Sequence, residues 1–69
     1  MKEVVFYSTA NREKEIFRKE NVIHVPRAEE HIYFEGIEYK VICVVHNYDA
    51  DIVEIYIMRL NSNFVTYKS

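Results

Sequence analysis

Four side chains in this 69-residue chain are soft metal ligands: His24, His31, His46 and Cys43. Zinc would suit four such donors if they converged. The spacing argues against convergence. Cys43 and His46 stand three apart in a strand-like run, so their side chains point to opposite faces, and no Cys-x-x-Cys or His-x-x-x-His pair exists. The expectation is therefore no metal and no cofactor. Cys43, between Ile42 and Val44, reads as a small buried hydrophobe, because a reactive thiol wants an electropositive, partly exposed setting.

Carboxylates offer a second chemistry. Asp49, Asp51 and Glu54 cluster around Asn47-Tyr48-Asp49-Ala50-Asp51, and paired carboxylates can hold a hard cation or act as acid and base. Turns favour the same residues for local backbone hydrogen bonding, and that is the preferred reading. The chain has no Gly-rich phosphate loop, no Gly-x-Ser-x-Gly elbow and no His-Glu-x-x-His pair, so no enzyme activity is expected.

Six tyrosines exceed what a small core can hold, since each hydroxyl needs water or a partner. Alternation sets Tyr33 and Tyr56 opposite Ile32/Phe34 and Ile55/Ile57, and exposed tyrosine with Met58 is a combination enriched at interfaces. A protein-binding surface is thus expected from Tyr33, Tyr56, Met58 and Tyr48 with the acidic turn residues Asp49 and Asp51. The competing class is a barrel that binds single-stranded nucleic acid or a nucleotide through aromatic stacking and Arg12, Lys14, Arg18, Lys19, Arg27 and Lys40. Glu13, Glu15 and Glu20 are interleaved among those cations, which ranks it second.

The elements that must position these residues are bounded by size. Sixty-nine residues allow one domain, 1–69, and a chain this short buries only roughly 60% of its unfolded surface. Apolar residues at 49% exclude a disordered segment. A net charge of −2 is neither the basic surplus of a nucleic-acid binder nor the acidic excess of a DNA mimic. One cysteine forms no intrachain disulfide, so a reducing cytoplasm is the expected compartment. The first residues carry no secretion-signal pattern. The longest apolar run, Val41 to Val45, falls far below the roughly twenty residues of a membrane span, so no membrane partner is expected.

Period identifies the elements, because one glycine and one proline leave no linker and no repeat. Lys2 to Ser8, with Val4, Val5, Phe6 and Tyr7, predicts strand one. Glu13 to Glu20 is ambiguous: Thr9 or Asn11 could cap a short helix. Adjacent Ile16 and Phe17 make no helical stripe, and a hairpin strand continuing through Val22-Ile23-His24-Val25 to Pro26 is preferred. Ile32 and Phe34 alternate with His31 and Tyr33, and Glu35-Gly36-Ile37-Glu38 turns the chain with Gly36 at positive φ. Tyr39 to Tyr48 carries Tyr39, Val41, Cys43 and Val45 on one face and Ile42 and Val44 on the other, which places it centrally in a closed or coiled sheet. Ile52 to Leu60 returns with Val53, Ile55 and Ile57 on one side and Glu54, Tyr56 and Met58 on the other.

The pattern predicts an all-β, five- to six-stranded antiparallel barrel, because a flat sheet would leave aggregation-prone edges. Its core is expected from Val5, Ile32, Phe34, Ile42, Val44, Val53, Ile55 and Ile57. The tail 61–69, with Phe64, Val65 and Tyr67, is read as an extra strand or an arm crossing to a second subunit. Apolar groups left over once one barrel interior is filled predict a homodimer.

The stretch from Pro26 to Val45 resembles small SH3-like β-barrel proteins among phage and prophage accessory open reading frames. A proline-led turn precedes a strand, a glycine turn and a Tyr-x-Val-x-x-Val strand, here Tyr39, Val41 and Val44. The similarity spans roughly Val25 to Leu60, and Glu29 stands where a glycine usually follows the Pro-Arg-x triplet. The resemblance implies an SH3-like barrel and a non-enzymatic role, modulating or inhibiting a host protein; it implies no catalytic residues.

Overall fold

In a computed structural model of the chain, which describes residues 2–11 and 13–60, five strands form one sheet. They are β1 (Lys2–Ser8), β2 (Glu15–Val22), β3 (His31–Phe34), β4 (Ile37–Asn47) and β5 (Ile52–Arg59), in the order β2-β1-β5-β4-β3. The β-branched and aromatic residues of β1, β4 and β5 suit a pleated, half-buried surface, and the all-β expectation holds.

The sheet is mixed, which corrects the antiparallel barrel. β1 runs parallel to β5, from Glu3 opposite Ile52 to Ser8 opposite Ile57, while the other three pairings are antiparallel. Short turns fix the direction only of strands adjacent in sequence. β1 and β5 are joined by the rest of the chain, so no turn constrains them. β1 is a central strand, hydrogen-bonded to β2 along one edge and to β5 along the other, and its apolar residues Val4, Val5 and Phe6 are buried on both faces.

β2 and β3 are the sheet edges, and the sheet curls into a half-barrel that brings them together through side chains. Phe17 of β2 stacks on Phe34 of β3 with ring centroids 3.7 Å apart, and Phe6 of β1 stacks on Phe17 at 4.2 Å. The ambiguous second segment is a strand, with Phe6 opposite Phe17 and Val5 opposite Arg18. It ends at Val22 instead of continuing to Val25: Asn21 adopts φ 60° and Ile23 is 90% exposed.

β4 changes phase partway along its length. Val41 faces Ile57 and Cys43 faces Tyr56, so Ile42 is an extra residue at a β-bulge. Tyr39 and Val41 before the bulge, and Val44 after it, share the concave side. Ile42 itself is 40% exposed, which removes it from the expected core. The core comprises Val4, Phe6, Tyr39, Val41, Val53, Ile55 and Ile57, with Ile32, Phe34 and Val44 half-buried against it. Val5 is fully buried but lies on the opposite, convex face, so its expected place beside Val53 and Ile55 is also corrected.

The β3–β4 hairpin closes through Glu35 and Gly36 with φ 51° and 80°, the sign pair of a type I′ turn. Ile37 and Glu38, expected within that turn, already belong to β4. The tail 61–69 and its expected strand or arm lie outside the described residues, as does Arg12.

Candidate functional site

Strand parity builds the convex face from β1, β5 and β4. Val5 and Tyr7 lie beside Glu54 and Tyr56, which in turn oppose Val45 and Cys43. Tyr7 and Tyr56 stack at 5.5 Å. The Tyr56 hydroxyl donates to Glu54 Oε1 at 3.2 Å, and Asn47 Nδ2 donates to Glu54 Oε2 at 2.9 Å. Glu54 is thereby held in a polar network in the middle of an aromatic and aliphatic surface. Val45 and Met58, each 42% exposed, flank the Tyr56–Cys43 pair.

One margin of this face is ionic. Arg18 donates from Nε and Nη2 to the two oxygens of Glu15 at 2.8 and 2.7 Å, and from Nη1 to Glu3 at 2.7 Å. The hydrogen bonds from Arg18 hold the Glu15 carboxyl below its ordinary value, against a smaller upward push from burial. The same bonds raise the Arg18 guanidinium further above its already high range. Arg18 stands opposite the buried Val5 in the β1–β2 register, which sets it on the convex face.

The six residues expected to bind a partner fall in three places. Tyr56 and Met58 share the convex face, Tyr56 half-buried and engaged with Tyr7 and Glu54. Tyr33 lies on edge strand β3 opposite Glu38 and is 62% exposed. Tyr48, Asp49 and Asp51 occupy the exposed β4–β5 turn, where Asn47 Oδ1 accepts from the Ala50 amide at 3.0 Å and Asp51 adopts φ 60°. Asp51 also meets Lys2 at 3.5 Å. The turn therefore uses its Asn and Asp residues for backbone geometry.

The candidate soft ligands are dispersed. His31 Nδ1 lies 2.9 Å from Glu38 Oε2, and His46 packs near Tyr48. Cys43 opposes Tyr56 on one face while His46 opposes Val53 on the other. Among the described residues no group of three or more His, Cys, Asp or Glu could hold a metal ion. No described helix is long and apolar enough to cross a membrane.

A second surface escaped the sequence reading. The seam between β2 and β3 is a cleft of about 220 Å³, floored by Phe6, Phe17 and Phe34 and walled by Val22 and Ile32. Lys19 stands opposite Val4 in the register, hence on the concave side, with Nζ 5.9 Å from the Phe34 ring centre. The three phenylalanines share a face only once Phe6 is aligned with Phe17. No alternation within one segment shows this, because it depends on a hairpin register broken by two irregularities.

These features define a small five-stranded, half-barrel all-β protein with a mixed apolar and ionic convex face. Comparison with protein-family models, curated proteins and solved structures gave no match.

Proposed function

We propose that the protein is a non-enzymatic module that binds another protein through its convex face. The observation that carries this reading is the row Val45, Cys43/Tyr56 and Met58, apolar and partly exposed on the side of the sheet away from the core. Aromatic and Met side chains around a satisfied polar centre, with an ionic margin at Arg18, have the make-up of an interface core and rim. The resemblance to SH3-like phage accessory barrels supports a host protein as the partner and modulation or inhibition as the effect. The same face is proposed to pair two copies in a homodimer when no partner is present.

The nucleic-acid alternative has less support. Arg18, Lys40 and Lys2 each pair with a carboxylate, leaving Lys14, Lys19, Arg27 and Arg59 without one among the described residues.

Capture from a bacterial host lysate, with Val45→Glu and Met58→Glu variants alongside, tests the proposal. A single protein held in stoichiometric amount by the wild type and lost by both variants, whose circular dichroism is unchanged, is the expected result. Retention by the variants would move the interface elsewhere.

A further inference from the structure

We propose that the cleft between β2 and β3 is a socket for one aromatic side chain of an acidic segment in a partner protein. The inference shares with the preceding section only the premise of protein binding, and it stands on the opposite side of the sheet.

The seam is where the half-barrel is not closed by hydrogen bonds, since β2 and β3 are the two edges of the sheet. Rings do the sealing instead. Phe6 beneath is only 5% exposed, whereas Phe17 and Phe34 remain half-buried and present apolar carbon to the cleft. A volume of about 220 Å³ is below the roughly 300–1,000 Å³ of pockets that enclose a whole small ligand, so it suits a single ring.

The walls decide what kind of ring. Phe17, Phe34, Val22 and Ile32 offer no hydrogen-bonding side chain, and the polar residues Lys19, His24 and Tyr33 are exposed at the rim. A nucleobase inserted there would find no side-chain partner on these four residues for its ring nitrogens and exocyclic groups, and burying such groups unsatisfied weakens binding. A phenyl or phenol ring has nothing to lose on its apolar edge.

Charge decides what flanks it. Asp and Glu supply 11 of the 69 residues, yet none lines the cleft. Lys2, Arg18, His31 and Lys40 each meet a carboxylate, while Lys19, on the concave face, has no such partner among the described residues. A cation beside an apolar floor is complementary to a ring with carboxylates next to it.

The test is an amide-resolved NMR titration of the whole chain with a seven-residue peptide whose central phenylalanine is flanked by aspartates and glutamates. Saturating shifts at Phe17, Lys19, Ile32 and Phe34 are expected. A peptide with alanine at the centre should bind about tenfold more weakly, the size of one lost anchor contact. Phe34→Ala is a poor probe because it can unfold the seam, so Lys19→Gln is used; it should weaken binding about threefold and flatten its salt dependence. The convex variants Val45→Glu and Met58→Glu should leave peptide binding unchanged, so the two readings fail separately. The proposal is overturned if the cleft amides do not move, if the phenylalanine and alanine peptides bind alike, if Lys19→Gln has no effect, or if adenosine monophosphate binds those residues more tightly than the peptide.

Discussion

Arg18 is the residue whose chemistry the fold uses most fully, since three hydrogen bonds from its guanidinium serve Glu15 and Glu3 at once. Because the folded Glu15 carboxyl lies below its ordinary value of 4.5, the unfolded chain takes up the proton first on acidification. The associated stability is present above that ordinary value and is lost as pH falls through the folded one. Thermal melts should therefore show Tm dropping as pH falls below about 4.5, with Arg18→Gln lower at neutral pH and converging on the wild type in acid. Parallel melting curves across that range would remove the pair from the stability account. Glu29 gives a second test at this scale. It holds φ 79°, a region that costs a side chain with a Cβ about 1–2 kcal/mol and that glycine enters freely. Its ion pair with Lys40 at 3.1 Å is solvent-exposed and worth little. Glu29→Gly should raise the urea midpoint, by up to about 1 kcal/mol in stability, and Glu29→Val should lower it.

Among the elements, β5 was fully legible and β4 was not. Val53, Ile55 and Ile57 alternate without interruption against Glu54, Tyr56 and Met58, and they are buried to 1% exposure or less. β4 alternates too, but its phase slips at Ile42, so a single parity assigned Val41 and Val44 to opposite faces when both meet the core. A bulge is set by partner register, which one strand's sequence does not contain. The two isoleucines should separate in a stability assay. Ile55→Ala removes fully buried carbon and should cost about 2–5 kcal/mol, whereas Ile42→Ala at a partly exposed bulge should cost below about 1 kcal/mol. Denaturant titration of both variants decides it, and equal losses would put Ile42 back in the core. The hairpin at Glu35–Gly36 was legible because its chemistry is local: glycine supplies one of the two positive φ angles that the tight connection demands.

The shape of the whole molecule depends on contacts between elements far apart in sequence, and there the sequence is least informative. The parallel β1–β5 pairing forms within the sheet and the Phe17–Phe34 stack forms across its two edges, and no local pattern specifies either. The candidate surfaces follow the same rule: Tyr56 and Met58 were found from alternation, while the phenylalanine cleft, and the place of Lys19 beside it, emerge only when β2 is folded against β1. A double-mutant cycle on Phe17 and Phe34, using Leu at each position to limit the cavity, should give a coupling of about 0.5–1.5 kcal/mol if their stacking seals the seam. Additive losses would leave closure to the rest of the core. The proposed self-association is also tested at this scale. A single curled sheet has one concave side for its core, so the apolar residues on the convex side, Val45 and Met58 among them, stay in water unless covered. Pairing that face with its own copy about a two-fold axis would bury them without a foreign partner. The margin should make this pairing salt-dependent only weakly, because Arg18 is already neutralised by Glu3 and Glu15 within its own chain. Sedimentation equilibrium at tens of micromolar should accordingly return twice the mass of one chain, little altered by salt, with Val45→Glu and Met58→Glu shifting it to one. A wild-type mass of one chain under those conditions would exclude the dimer and leave the face open for a different protein.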